Sequence, residues 1–225
     1  MVGWVHRLRM GLASALLSVA CEGPLKSDEP IENHVGQDSG ARAIDEVLPS
    51  PNRSRYCWVG SVDQTDVRVA LLVGTGKARL FFCGGAASYA TTTRWFDIAY
   101  DGSEHIDFTE QAWRIHAHLF GTRFTGKVVL GDGVERSLDA DRTSAETLAG
   151  LYEGTAECGR LGLIVTQATP DAVPASQGAC TSDSGAPIQQ VDAVAPLAAE
   201  AGKIRVHLPS ADDATLLLQT ASVDP

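Results

Sequence analysis

Short runs of alternating apolar and polar residues, separated by turns, dominate the sequence from residue 56 onward. Trp113–Phe120 (WRIHAHLF) is the clearest run. Because successive side chains of a strand point to opposite faces, a period of two residues is typical of a half-buried β-strand. Similar runs recur between turn sequences such as GTGK, DGSE and GDG. Residues 56–225 are therefore predicted to form one mainly β domain, an antiparallel β-barrel or β-sandwich of about ten short strands.

Helix is expected to be scarce in this domain. Thr143 and Glu146 have the spacing of a capping box, in which two side chains satisfy free amides at a helix start. A short helical turn is therefore expected before Gly150, and residues 197–202 are expected to form another.

The first twenty residues have the organisation of a secretory signal peptide. Two arginines and no acidic residue precede an eleven-residue apolar stretch, and small residues follow up to Cys21. A helix needs about 20 apolar residues to cross a bilayer, so this stretch is too short to be a membrane span. Residues 1–20 are predicted to be removed.

The end of this leader, LLSVAC at residues 16–21, resembles the lipobox of bacterial lipoproteins. The resemblance covers the leader alone, and Ser18 stands where that family usually has leucine. It implies that the signal is cut before Cys21 and that this cysteine carries the lipid that holds the protein on a membrane. The alternative is cleavage by ordinary signal peptidase after Ser18-Val19-Ala20, which would release a freely secreted protein.

Residues 21–55 are predicted to be a lipid-anchored, disordered tether. The segment has no apolar periodicity, carries charges of both signs and contains Gly, Pro, Ser and Asn throughout. Such a composition buries too little apolar surface to order itself. The tether would let the β domain stand off the membrane surface.

The cysteine count is odd, with five in the chain. If Cys21 carries lipid, Cys57, Cys83, Cys158 and Cys180 remain as an even set, which suits disulfides in an oxidising compartment. A simple meander of the first three strands puts Cys57 and Cys83 at opposite ends of the sheet, too far apart for a bridge. Bridges from the N-terminal strands to the 158–180 region are therefore favoured, although the pairing stays open among three connectivities.

The acidic composition argues against nucleic acid as a partner. Lys and Arg number 18 against 28 Asp and Glu, a formal net charge of −10. Such a surface repels phosphate backbones. Gly74–Lys77 (GTGK) lacks the first glycine and the final Ser or Thr of a phosphate-binding loop, so no nucleotide cofactor is predicted, and no other cofactor either.

Two histidines share one face of the predicted strand Trp113–Phe120. His116 and His118 are two residues apart, so their side chains lie about 6.6 Å from each other, a spacing that zinc sites use with a third ligand from elsewhere. His105 or His207 could supply that ligand. The alternative, a solvated outer face, is favoured because the sequence has no HExxH or CxxC motif and Arg114 adds positive charge.

Residues 180–187 (CTSDSGAP) are similar to the nucleophile loop of the chymotrypsin-like proteases, with Ser184 at the position of the nucleophile. The resemblance implies a hydrolase that takes its base from His116 or His118. Ser182 replaces the glycine whose amide builds that family's oxyanion hole, and the histidines lie in a strand rather than in the family's loop. The alternative is a surface turn, because Ser, Asp and Gly are common turn residues.

Three functional classes follow from these observations. The favoured class is a membrane-anchored, extracytoplasmic lipoprotein that faces the periplasm or the cell surface and serves as a non-catalytic binding or envelope-interaction module. The second is a serine hydrolase centred on Ser184. The third is a metal-binding protein that uses His116 and His118.

Overall fold

The computed structural model describes residues 56–209 and 214–223. They form fifteen β-strands and one short helix, α1 at Tyr89–Thr92. The predicted signal peptide, Cys21 and the predicted tether lie outside these described residues. The described part of the chain contains no helix with the length and apolar character of a membrane span.

The first eight strands form one antiparallel sheet that curls around a core. They are β1 Tyr56–Val62, β2 Arg68–Gly74, β3 Lys77–Cys83, β4 Arg94–Ala99, β5 His105–Glu110, β6 Trp113–Phe120, β7 Arg123–Val129 and β8 Glu135–Arg142. Their order in the sheet is β4-β3-β2-β1-β8-β7-β6-β5. The sheet is nearly closed, and β4 and β5 are its two edges.

The remaining strands form a second, smaller barrel. They are β9 Gly150–Ala156, β10 Gly159–Thr166, β11 Ala175–Thr181, β12 Pro187–Ala193, β13 Ala199–Glu200, β14 Lys203–Leu208 and β15 Ala214–Thr220. Six of them close into an antiparallel barrel, because β12 pairs with β14 through Asp192 opposite His207 and Ala193 opposite Val206. The two-residue β13 pairs with β14 outside that ring.

Three apolar clusters organise the two barrels. One fills the eight-stranded sheet and another fills the six-stranded barrel, while the third lies between them. In β1, Trp58 points into the eight-stranded sheet and Val59 into the layer between the barrels. In β10, Leu163 faces inward and Ile164 faces that layer. Because strands here are buried on both faces, β2 and β10 read as nearly continuous apolar runs rather than alternating ones.

The prediction of a mainly β, antiparallel barrel fold is confirmed. The described residues contain fifteen strands rather than about ten, and these strands divide between two barrels. Helix is scarce, as expected, but neither of the two short helical turns forms. Residues 143–148 form a turn in which Thr147 donates to the Ser144 carbonyl, and residues 199–200 are the strand β13. The alternation predicted for β6 is confirmed: one face of the strand is buried, and His116 and His118 lie on the other, exposed face.

The described residues contain one disulfide, which joins Cys158 in the β9–β10 turn to Cys180 in β11. The prediction of two bridges that link the N-terminal strands to the 158–180 region is wrong, because Cys57 and Cys83 are free thiols. Both lie against the apolar layer between the barrels. Burial raises the pKa of each to about 12, so these thiols stay protonated and unreactive near neutral pH. The register places Cys57 opposite Leu72 and Cys83 opposite Arg68, near the two ends of β2. This agrees with the expectation that Cys57 and Cys83 lie too far apart for a bridge.

Candidate binding site

Ser184 lies in the exposed turn between β11 and β12. Its hydroxyl is 2.8 Å from the hydroxyl of Ser182. The turn is closed by the amide of Gly185, which donates to the Ser182 carbonyl, and by the amide of Ser182, which donates to the Ala186 carbonyl. Gly185 adopts a φ of 81°, which glycine reaches at little cost. These contacts are those of a hairpin turn.

The histidines proposed as the base lie in the other barrel. His116 and His118 are on β6 of the eight-stranded sheet, whereas Ser184 belongs to the six-stranded barrel. His116 Nδ1 is hydrogen-bonded to Asp107. Among the described residues, no hydrogen bond joins a histidine to Ser184. The structure thus does not assemble the serine, base and acid that a triad requires.

His105 and Asp107 of β5 lie beside the two histidines of β6. The register places His105 opposite His118 and Asp107 opposite His116. The ring centres of His105 and His118 are 3.9 Å apart, and those of His116 and His118 are 6.2 Å apart. These four exposed residues are called the histidine patch below. Within the part of the chain that the structure describes, no group of three or more His, Cys, Asp or Glu side chains is placed so that it could hold a metal ion as it stands.

Of the two third ligands considered, the structure brings His105 to the pair and not His207. His207 lies on β14 of the six-stranded barrel, opposite Asp192 and Thr215. Asp107 was missed in the sequence. The alternation in HIDFT places it on the same face as His105, but only the β5–β6 register shows which histidine it meets.

The eight-stranded sheet has a gap between its edge strands. In the described residues, no backbone ladder joins β4 to β5, although only residues 100–104 separate them. Side chains hold one end of the gap: Arg94 Nη2 is 2.6 Å from Glu110 Oε1. The rings of Phe96 and Phe108 meet edge to face, with centres 5.2 Å apart. This gap is called the seam.

The other end of the seam opens into a cleft of about 400 Å³. Among the residues that line this seam cleft are Ile98, Tyr100, Asp101, Ser103, His105 and Asp107. The hydroxyl of Tyr100 donates to the Ser103 carbonyl at 2.6 Å, which fixes the loop between the edges. The amide of Ser103 donates to Asp101 and lowers the pKa of that carboxyl, so it is ionised at neutral pH. The volume falls within the range of about 300–1,000 Å³ that is usual for ligand sites.

A second groove lies where the two barrels meet, and its Arg79, Glu153 and Arg160 side chains are already paired. Glu153 contacts both Arg79 Nη1 at 3.2 Å and Arg160 Nη2 at 2.9 Å. Asp97 contacts Arg79 Nε at 2.7 Å. Trp95 is covered on both faces, by the stacked ring of Phe81 at 4.1 Å and by Arg160 at 3.7 Å. These residues join the barrels.

Comparison of the chain with protein-family models, curated proteins and solved structures finds no match.

Proposed function

We propose that the chain is a lipid-anchored, non-catalytic binding protein of the bacterial cell envelope. In this proposal it captures an extended, basic segment of a partner protein at the seam cleft. The observation that carries the proposal is the missing backbone ladder between β4 and β5.

An open edge is a template for another strand, because its amide and carbonyl groups have no partner within the sheet. An extended peptide laid against β4 or β5 would add such a strand, with its main chain supplying affinity and its side chains supplying specificity. The seam cleft offers room for this at the end where Ile98 and His105 lie. The Arg94–Glu110 ion pair closes the opposite end and so limits the length of the segment.

The charge of the cleft favours a basic segment. Asp101 and Asp107 line it, and the chain as a whole is strongly acidic. A lysine or arginine in the bound segment would be drawn by this field and would find carboxylate acceptors. Anionic ligands would be repelled.

The surroundings of Ser184 support a non-catalytic role. Its hydroxyl is bonded to Ser182, in an exposed turn of the barrel that does not carry His116 and His118. Without a base, a serine hydroxyl is a weak nucleophile.

Anchoring at the envelope rests on the leader alone. The even count of the other four cysteines no longer adds to it, since two of them are free thiols. The charge, length and cleavage-site pattern of residues 1–21 support export and lipidation of Cys21.

Capture from a bacterial envelope extract tests the proposal. Ala99→Lys places a cation on the exposed edge of β4, where it blocks strand addition and repels a basic segment. Gln64→Lys adds the same charge in the exposed β1–β2 turn, at the other end of the strands from the cleft. We expect a discrete partner to be retained by the unaltered protein and by Gln64→Lys, and to be lost by Ala99→Lys. Equal retention by all three proteins would overturn the seam as the binding site.

A further inference from the structure

We propose that the histidine patch is a zinc site in which His105, His116 and His118 bind the ion and Asp107 positions His116. The proposal does not rest on peptide capture at the seam, although His105 and Asp107 also line the seam cleft. It starts from the register, because two neighbouring cross-strand pairs place three histidines and one aspartate on one outward face of β5 and β6.

Two of the three ring separations lie near the value for one ion, so the rings must rotate to bind it. A Zn–N bond is about 2.0–2.1 Å and a ring centre lies roughly 1 Å behind its nitrogen, so two imidazoles on one tetrahedral zinc have centres about 5 Å apart. The observed distances of 3.9 Å for His105–His118 and 6.2 Å for His116–His118 lie on either side of that value. Because all three rings are exposed, they can turn on their strands without disturbing the core.

The contact with Asp107 sets the tautomer of His116 that can bind a metal ion. A carboxylate only accepts hydrogen bonds, so the ring nitrogen that meets it, Nδ1, carries the proton. The other nitrogen, Nε2, is then the one with a free lone pair. Metal-binding histidines almost always have such a partner, which fixes the tautomer and the ring orientation.

Two cations lie near His116 and oppose binding of the ion, but their positions limit that effect. Lys127 is opposite His116 on β7, but its ammonium donates to Ser137 on β8 at 3.1 Å and is thus drawn away from the patch. Arg114 lies two residues before His116, beyond the cross-strand pair that includes Asp107. The Asp107 carboxylate offsets part of this positive charge.

The donor set selects the type of metal. Three neutral imidazoles suit zinc and its neighbours among the divalent transition metals, whereas magnesium and calcium require oxygen ligands. Three protein ligands leave a fourth position on a tetrahedral ion for water. The patch is therefore an open, exposed zinc site rather than a closed structural one.

Equilibrium dialysis of the full chain against zinc, followed by elemental analysis, tests this assignment. We expect about one zinc ion per chain. His116→Ala and His118→Ala should each abolish stoichiometric binding. His207→Gln, which removes a histidine from the other barrel, should bind as the unaltered chain does.

The positioning role of Asp107 has its own readout. Asp107→Asn should weaken zinc binding by about 10–100-fold, and Asp107→Glu should recover part of the affinity. With cobalt in place of zinc, the visible absorption of a tetrahedral site should appear in the unaltered chain and weaken in Asp107→Asn. Absence of zinc from the unaltered chain would overturn the proposal, and so would undiminished zinc in His116→Ala or His118→Ala. If Ala99→Lys loses the partner protein but retains zinc, then zinc binding does not require capture of a segment at the seam.

Discussion

The guanidinium carbon of Arg160 lies 3.7 Å from the centre of the Trp95 ring, which joins β10 of the six-stranded barrel to β4 of the eight-stranded sheet. Arg160 also contacts Glu153, and both side chains are largely covered. We expect Arg160→Ala to lower the free energy of unfolding by about 1–3 kcal/mol, through loss of the cation–π contact and of the charged hydrogen bond. Urea denaturation measures this loss. Arg205→Ala, which removes only an exposed pair with Glu200, should change it by less than about 0.5 kcal/mol.

Gly162 lies under the same aromatic pair, on the face of β10 that meets the eight-stranded sheet. A Cβ atom there would be 2.5 Å from Trp95 Cζ2 and 2.7 Å from Phe81 Cε1. We expect Gly162→Ala to destabilise the protein by about 1–3 kcal/mol, because two packed rings must shift. Gly150→Ala is the matched control in β9, since its nearest atom would be Tyr152 Cε2 at 3.7 Å. Equal midpoints for the two variants in thermal denaturation would show that the barrels do not pack through this contact.

The Cys158–Cys180 disulfide closes a loop with a sequence separation of 22. We expect Cys158→Ala/Cys180→Ala to lower the free energy of unfolding by about 3 kcal/mol, mainly because the unfolded chain gains freedom. Dithiothreitol should destabilise the unaltered protein to a similar extent. The double variant should not respond to it, and a further response would indicate a bridge at Cys57 or Cys83.

The β fold could be predicted from sequence because alternation at β6 is complete, with Trp113, Ile115, Ala117 and Leu119 buried and the residues between them exposed. Strands β9, β11 and β12 are hard to predict, because glycine, serine, glutamine and proline weaken the alternation there. The disulfide could not be predicted for the same reason, because Cys158 and Cys180 come close only when β10 pairs with β11.

The candidate sites depend on features that a sequence leaves open. The histidine patch needs the β5–β6 register, which is set by a two-residue turn with Gln111 at a φ of 54°. Turns of this kind usually carry glycine or asparagine, so the residues gave no signal of it. The seam is an absent pairing between β4 and β5. The curvature of all eight strands decides whether β4 and β5 pair. Local sequence patterns do not predict this curvature.

Lipidation of Cys21 is a prediction from the leader. We expect radiolabelled palmitate to enter the protein in a bacterial host and to be lost in Cys21→Ala, because the resemblance to the lipobox makes this cysteine the acceptor. Cys57→Ala is the control, as it removes a half-buried thiol of the β domain and should leave labelling unchanged. A mature amino terminus free of acyl groups in mass spectrometry would contradict the prediction and indicate a freely secreted protein.

Capture of a strand at the seam is the central claim, and photo-crosslinking in living cells tests it most directly. A benzophenone side chain introduced at Ala99, on the exposed edge of β4, should give one discrete adduct with a partner protein. The same group at Gln64, in the exposed β1–β2 turn at the other end of the strands from the cleft, should give none. An adduct at Ala99 whose partner peptide is extended and basic is the predicted result. Absence of any adduct at Ala99, or the same adducts at both positions, would contradict it.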